Sequence, residues 1–515
     1  MTVRTESMRT ADGTRLDADV YVPPAPGRYP VLLMRQPYGR RIASTVCYAH
    51  PSWYAAQGFV VVIQDVRGRG TSEGEFSLLA DDAEDGAATI AWAAGLPESD
   101  GRVCMYGFSY QGTNQLLAAA RARAALRAVA PAMIGWDIRT DWAYEGGAFN
   151  LQGGIGWAAQ LAAETARRAG DEAAFVELRQ ASANPPAEAR PHVLERHRTL
   201  SHYHDWIDRT EPAPYWDAIS PAAHLEAIVA GRVPTLLIGG WHDSHLPGTL
   251  AAYHALAGRV AVRLVIGPWA HHPWARRLGA QDFGPAAAGG LDAEQVAWFH
   301  AALEGDPPQG VRLFDLGART WRERATWPDG RTKFYLGGTG RAAIDERDGM
   351  LTPTATDDGD DCFVHDPWRP VPTLPPGSDR ALLDQRGDIL TFTTAPSTEP
   401  TLLAGSVAVE LFADADAPDF DLSCTLSRVT DGQVWPIATG HRRVSDTTRP
   451  VVVGMRGTCA TLARGESLRL SIAGANFPAF PVNPGTGQDP TRARAIDART
   501  ITMRIGHGSR LLVGG

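Results

Sequence analysis

Ser109 is the residue around which chemistry can most readily be built. It lies in Val103-Cys104-Met105-Tyr106-Gly107-Phe108-Ser109-Tyr110-Gln111-Gly112. The apolar run Val103 to Tyr106 reads as a buried strand ending at a glycine, and Thr113 to Arg123 reads as an Ala/Leu-rich helix. A strand, a tight turn with serine at its apex, and a helix make a nucleophile elbow. Small residues are needed there because the turn is strained and strand and helix approach closely. The helix N-terminus favours negative charge developing beside the serine. Gln111 occupies the place of the second glycine in G-x-S-x-G, and Gly112 follows it. Taken alone, the segment also fits an ordinary strand-to-helix turn, so the partners of the serine decide.

A serine nucleophile needs a base, and the base needs an orienting carboxylate. In the α/β-hydrolase order the acid and then the histidine come later in the chain, each just after a strand. Val233-Pro234-Thr235-Leu236-Leu237-Ile238-Gly239-Gly240 is an apolar strand leading into Trp241-His242-Asp243. Val262-Arg263-Leu264-Val265-Ile266-Gly267-Pro268-Trp269-Ala270-His271 repeats the arrangement. Both candidates then lie at carboxyl ends of strands, where open α/β sheets bind ligands. Asp243 alone could be a turn residue and His271 a surface histidine. The ordered set points to a triad of Ser109, Asp243 and His271, with His272 and His242 as fallback bases.

The elements around these residues change character along the chain. Residues 1 to about 135 alternate strands (Arg15 to Val22, Tyr29 to Arg35, Gly58 to Gln64) with helical patterns such as Asp81 to Leu96. That alternation predicts a largely parallel sheet covered on both faces. From 136 to 228 the strand signal gives way to helix-like segments (Ile155 to Ala169, Glu172 to Ser182, Ala187 to Leu200), broken by Pro185, Pro186 and Pro191. This stretch reads as a cap over the site. Strand-helix alternation returns over 229–312, with a helix expected at about Asp292 to Leu303. Residues 313–515 carry short β-rich runs (Lys333 to Leu336, Ser406 to Ala413, Leu422 to Val429, Ser467 to Ile472, Thr500 to Ile505) between Gly, Pro and Asp clusters, the pattern of a β-sandwich. The fold class expected is α/β: an α/β-hydrolase core with a helical cap insertion and a C-terminal jelly-roll-like β-sandwich. The acidic run Asp357-Asp358-Gly359-Asp360-Asp361 lacks EF-hand spacing and reads as a solvated loop.

Composition narrows the chemistry further. A net charge of −9 argues against nucleic acid or an anionic membrane as partner. Lys333 is the only lysine, which leaves Schiff-base and pyridoxal chemistry a single poorly placed candidate. Five dispersed cysteines without a C-x-x-C pair suggest buried thiols rather than disulfides or a zinc site. No leader-like or membrane-spanning run is evident, so the expectation is a cytoplasmic enzyme without metal or organic cofactor.

The chain resembles the cocaine-esterase-like (CocE/NonD) serine hydrolases, relatives of X-Pro dipeptidyl-peptidases and α-amino-acid ester hydrolases. The resemblance is carried by Arg35-Gln36-Pro37-Tyr38, by Val62-Ile63-Gln64-Asp65-Val66-Arg67-Gly68-Arg69-Gly70-Thr71-Ser72-Glu73-Gly74, and by the elbow in the family's G-x-S-Y-x-G form. Gly240-Trp241-His242-Asp243, Gly267-Pro268-Trp269-Ala270-His271 and, near the end, Asn476-Phe477-Pro478-Ala479-Phe480-Pro481-Val482-Asn483-Pro484 complete it. It implies an oxyanion hole made of the Tyr110 backbone N–H and the Tyr38 hydroxyl, a C-terminal sandwich of galactose-binding-like type packed on the catalytic domain, and compatibility with a homodimer. Asp65 to Gly70 reads as a structural loop whose charges pair internally.

Related esterases, peptidases and amino-ester hydrolases differ in how they hold the acyl part. In amino-ester hydrolases acidic residues occur two and three positions after the catalytic acid; here His245 and Leu246 stand there. Asp141, with Glu145 nearby, could offer the other half of an ammonium clamp, or Asp141 could simply cap a helix. The balance favours a small-molecule ester, or an amide, with a neutral acyl group. Trp136, Trp142, Phe149 and Trp241 are expected to line an aromatic acyl pocket, each being equally compatible with core packing, and the resemblance turns His245 toward the site. The alternatives are an X-Pro dipeptidyl-peptidase, an amino-ester hydrolase or acyltransferase, and a carbohydrate-binding protein with a vestigial hydrolase core.

Overall fold

The computed structural model describes residues 2–41, 45–122, 124–272, 274–288, 290–355, 359–448 and 450–514. A ten-stranded sheet forms the catalytic half, built on the apolar runs seen in the sequence. From one edge its strands are Thr2–Arg9, Arg15–Val22, Val60–Asp65, Tyr29–Gln36, Ser99–Phe108, Leu126–Ala132, Thr235–Gly240, Val262–Gly267, Gly310–Asp315 and Thr320–Arg324. Pairing is parallel from Val60–Asp65 through Gly310–Asp315 and antiparallel at both edges. The sheet runs past the boundary expected at residue 312, ending at Arg324.

Central strands are buried on both faces, which explains their unbroken apolar sequence. Val31 and Leu33 pack with Ile90 and Leu116 from helices on one face. Leu32 and Met34 point the other way and pack with Tyr54 and Phe299. Alternation within one strand therefore fills two helix–sheet layers, and all the loops at the carboxyl ends open on one edge.

The cap is helical as expected, with its own apolar core. Its longest helix, Leu151–Ala169, packs beside Glu172–Ala183. The single helix expected over Ala187 to Leu200 is instead a short one at His192–Arg196 and a 3₁₀ turn at Arg198–Leu200. Pro191 stands at the start of the first because it can precede a helix but not continue one.

The C-terminal region is a near-closed, sandwich-like and mostly antiparallel sheet, running from Gln433–Val444 at one end to Val451–Leu462 at the other. It docks directly on the cap and core: Arg456 pairs with Glu145 at 2.9 Å, Leu151 N–H donates to Ala479, and Leu316 N–H donates to Cys459. Of the acidic run, Asp357 and Asp358 lie outside the described residues. Asp361 is not a solvated loop residue: it is buried at the start of a strand and paired with His507 at 2.8 Å. Among the described residues no helix is long and apolar enough to cross a membrane, and all five cysteines are free.

Candidate active site

Ser109 stands between the strand Ser99–Phe108 and the helix Tyr110–Ala119, which begins at the next residue rather than at Thr113. Its backbone is held at φ 61° and ψ −125°, a conformation that costs a non-glycine residue about 1–3 kcal/mol. The turn is held by its neighbours: Ser109 N–H donates to Ala132 at 2.9 Å, and its carbonyl accepts from Gly112 and Thr113. A Cβ on Gly107 would come within 2.6 Å of Gln111 Cβ. One on Gly112 would lie 2.6 Å from Ile134 Cγ2 and 2.7 Å from the Ala132 oxygen. The displaced second glycine is thus required where the helix crosses the neighbouring strand. Gly112→Ala is expected to reduce unfolding free energy by about 1–3 kcal/mol, read as a lower denaturant midpoint at unchanged slope. An unmoved midpoint would mean that the helix can shift to accept the methyl group.

Tyr110 opens that helix, so its N–H has no partner within it. Its side chain turns into the core, where the hydroxyl bonds Asp82 and accepts from Leu79 N–H. Only its backbone donor is left for the site.

Asp243 follows Thr235–Gly240 and is completely buried. His271, after Val262–Gly267, places Nδ1 2.8 Å from Asp243 Oδ1. Burial alone would raise the Asp243 carboxyl, but His271 and His245 outweigh it and hold it well below the usual carboxylate range. Of the fallback histidines, His272 faces the same cavity as Ser109 and His271, and His242 does not. His272 is beside His271, with ring centroids 5.7 Å apart. His242 stacks on Phe283, and burial, with Arg456 nearby, lowers it to about 4.

Ser109, His271 and Tyr38 line one cavity of about 570 Å³. Tyr38 follows Tyr29–Gln36, and burial raises its hydroxyl to about 12. Of the expected acyl-pocket residues, Trp142 and His245 line this cavity and three do not. Trp241 is buried on the far side of its loop, donating to the Phe314 carbonyl at 2.7 Å; with His242 it lines a separate cavity of about 240 Å³ against the sandwich. Phe149 packs between Tyr144 and Tyr203 in the cap core, and Trp136 is buried in the hydrophobic core that includes Ile134 and Leu246. Residue type alone could not separate these roles. Two aromatic wall residues escaped the sequence reading, Phe108 and Trp157. Trp157 carried one signal, a tryptophan in an otherwise Gly/Ala-rich turn.

No carboxylate lies among the described residues lining the cavity. Asp141 is occupied in its own turn, accepting from Asp137 N–H at 2.8 Å, and burial raises it to about 6. Glu145 pairs with Arg456. His245 places Nδ1 3.5 Å from Asp243 Oδ1, and burial lowers it below the ordinary histidine value. Asp243, His245 and His271 bring ligand atoms within 4.8 Å of one another, the one such group among the described residues able to hold a metal ion.

The loop Asp65 to Gly70 pairs outward rather than internally. Asp65 bonds Arg40 at 2.5 Å, and Arg67 bonds Asp85 and Asp12, each at 2.8 Å. A Cβ on Gly70 would fall 1.9 Å from Asp65 Oδ2, so the loop closes only with glycine there. Arg69 has no carboxylate within ion-pair distance among the described residues. Its guanidinium lies 3.6 Å above Phe76 and donates to Thr165 Oγ1 and the Leu161 carbonyl, and burial lowers it to about 10.

Residues 12–273 match the X-Pro dipeptidyl-peptidase (S15 family) profile, and residues 304–512 match that of the X-Pro dipeptidyl-peptidase C-terminal non-catalytic domain. Over 547 aligned residues the chain is 30% identical to the cocaine esterase of Rhodococcus sp. (strain MB1 Bresler), covering 96% of this chain and 95% of that protein. Among solved structures, an aminopeptidase from a marine sediment Thaumarchaeota archaeon superposes with a TM-score of 0.81 at 21% identity. An α-amino-acid ester hydrolase superposes with 0.80, also at 21%. Each comparison covers 99% of this chain and 96% of the other, and each supports the fold.

Proposed function

The chain belongs to the X-Pro dipeptidyl-peptidase (S15) family and is a serine hydrolase, and from that premise we propose that it cleaves carboxylic esters with a neutral acyl group. The observation that carries the acyl preference is the cavity wall without a carboxylate. An α-ammonium group buried there would lack a counter-charge, which is costly. Ester cleavage is supported by the likeness to the Rhodococcus cocaine esterase. The free cysteines fit a reducing, cytoplasmic setting.

In this reading Ser109 Oγ attacks the ester carbonyl while His271 Nε2 takes its proton. His271 Nδ1–H donates to Asp243, which fixes the tautomer and stabilises the imidazolium. Tyr110 N–H and the Tyr38 hydroxyl receive the tetrahedral oxyanion. His271 then protonates the leaving alkoxide, and water deacylates Ser109 by the same route.

The test compares purified enzyme on neutral 4-nitrophenyl esters, including a benzoate, with α-amino acyl esters and X-Pro nitroanilides carrying a free amine. Neutral esters should exceed matched amino esters in kcat/KM by at least about tenfold, the effect of roughly 1.4 kcal/mol in the barrier. A preference for the free-amine set would overturn the acyl assignment.

A further inference from the structure

The long cap helix reaches into the cavity through Trp157. Its indole Nε1–H donates to the Tyr38 hydroxyl oxygen at 2.9 Å. An indole nitrogen can only donate, whereas a phenol has one proton and can also accept. With Trp157 on the oxygen, the Tyr38 proton must point elsewhere. Among the described residues it has no protein acceptor, while Ser109 lines the same cavity.

Trp157 is itself fixed in place. It stacks on Trp142 at 4.7 Å, meets His202 edge-on at 5.0 Å and packs against Trp206 at 5.6 Å. Burial raises the Tyr38 hydroxyl, whereas the Trp157 bond and the Arg69 charge both favour negative charge on its oxygen. A hydroxyl polarised in this way is a stronger donor, because linked hydrogen bonds reinforce one another.

We propose that Trp157 is a positioning residue for catalysis: by donating to Tyr38 it directs that hydroxyl's proton toward the oxyanion formed at Ser109. This rests on the reading of Tyr38 as an oxyanion donor. The hole is then assembled from two parts of the fold, a loop of the core sheet and a helix of the cap.

Aromatic wall packing alone would also give Trp157 a place in the cavity, and a double-mutant cycle separates the two roles. Tyr38→Phe, Trp157→Phe and the double variant are assayed on 4-nitrophenyl acetate, whose acyl group is too small to need the wall. Tyr38→Phe should lower kcat about 10²–10³-fold. Trp157→Phe should lower kcat and kcat/KM together by about 3–10-fold with KM unchanged, the size of one neutral hydrogen bond. In the Tyr38→Phe background Trp157→Phe should cost nothing further. An equal loss in both backgrounds, an effect on KM alone, or no effect of Trp157→Phe overturns the proposal while leaving Tyr38 in its role. A silent Tyr38→Phe overturns the underlying assignment and the proposal with it. Should Trp157→Phe melt below the assay temperature, Trp157→Leu supplies the same cycle.

Discussion

Replacing Ser109 with alanine is expected to lower kcat on neutral esters by about 10⁶-fold, the loss seen when a triad nucleophile is removed from an otherwise intact site. The size of the effect follows from cooperation among the residues. Without Oγ no acyl-enzyme forms, so the base and the oxyanion donors have nothing to act on, and only a small advantage over water remains. The backbone at this residue gives a second readout. Serine at φ 61° and ψ −125° is strained, and glycine tolerates positive φ without that strain. Ser109→Gly should therefore be as inactive as the alanine variant yet more stable, by about 1 kcal/mol. Thermal melts and ester assays on the same preparations check both. Activity above a hundredth of wild type in either variant would remove Ser109 from the nucleophile's role.

The sequence was most informative where a residue's position follows from the element before it. Ser109, Asp243 and His271 each follow an apolar run that reads as a buried strand, so their common edge of the sheet is legible in the sequence. The thinnest signal came from strands with little buried surface. Thr2–Arg9 exposes most of its side chains, and its sequence TVRTESMR carries no apolar alternation to mark it. Thr320–Arg324 is similar, which is why the sheet runs beyond the expected boundary.

Side-chain direction was harder to read than element position. Trp142 and Trp241 are equally aromatic, one within the cap segment and the other two residues before Asp243. One faces the cavity, and the other turns its indole to the Phe314 carbonyl. For Trp241 the direction depends on a partner 73 residues away in the chain, beyond the reach of any local pattern. Arg69 shows the same limit. Among Asp65, Arg67 and Arg69 the opposite charges suggest internal pairing, yet each finds partners contributed by other segments. Gly112 is the contrary case. Its displaced position looked irregular in sequence, and the close passage of the elbow helix over the adjacent strand accounts for it.

Asp243→Asn should lower kcat by about 10⁴-fold while leaving KM nearly unchanged. Asp243 Oδ1 lies 2.8 Å from His271 Nδ1, and a carboxylate there favours the imidazole tautomer whose Nε2 can accept the serine proton. An asparagine amide can instead offer an N–H to Nδ1, placing the imidazole proton on Nε2 and disabling the base. The site holds a second histidine that makes this prediction sharper. His245 lies 3.5 Å from the same oxygen, its ring 4.6 Å from that of His271. Burial keeps it below the ordinary histidine value and thus neutral near pH 7. If His271 is the base, His245→Gln retains both the carboxylate and the correct tautomer, and the loss should stay within about tenfold, the effect of one hydrogen bond or contact. If His245 were the base, His245→Gln would be as damaging as Asp243→Asn, and His271→Gln would be the mild variant. Measuring kcat for the three substitutions on one neutral ester decides which of the two imidazoles Asp243 serves.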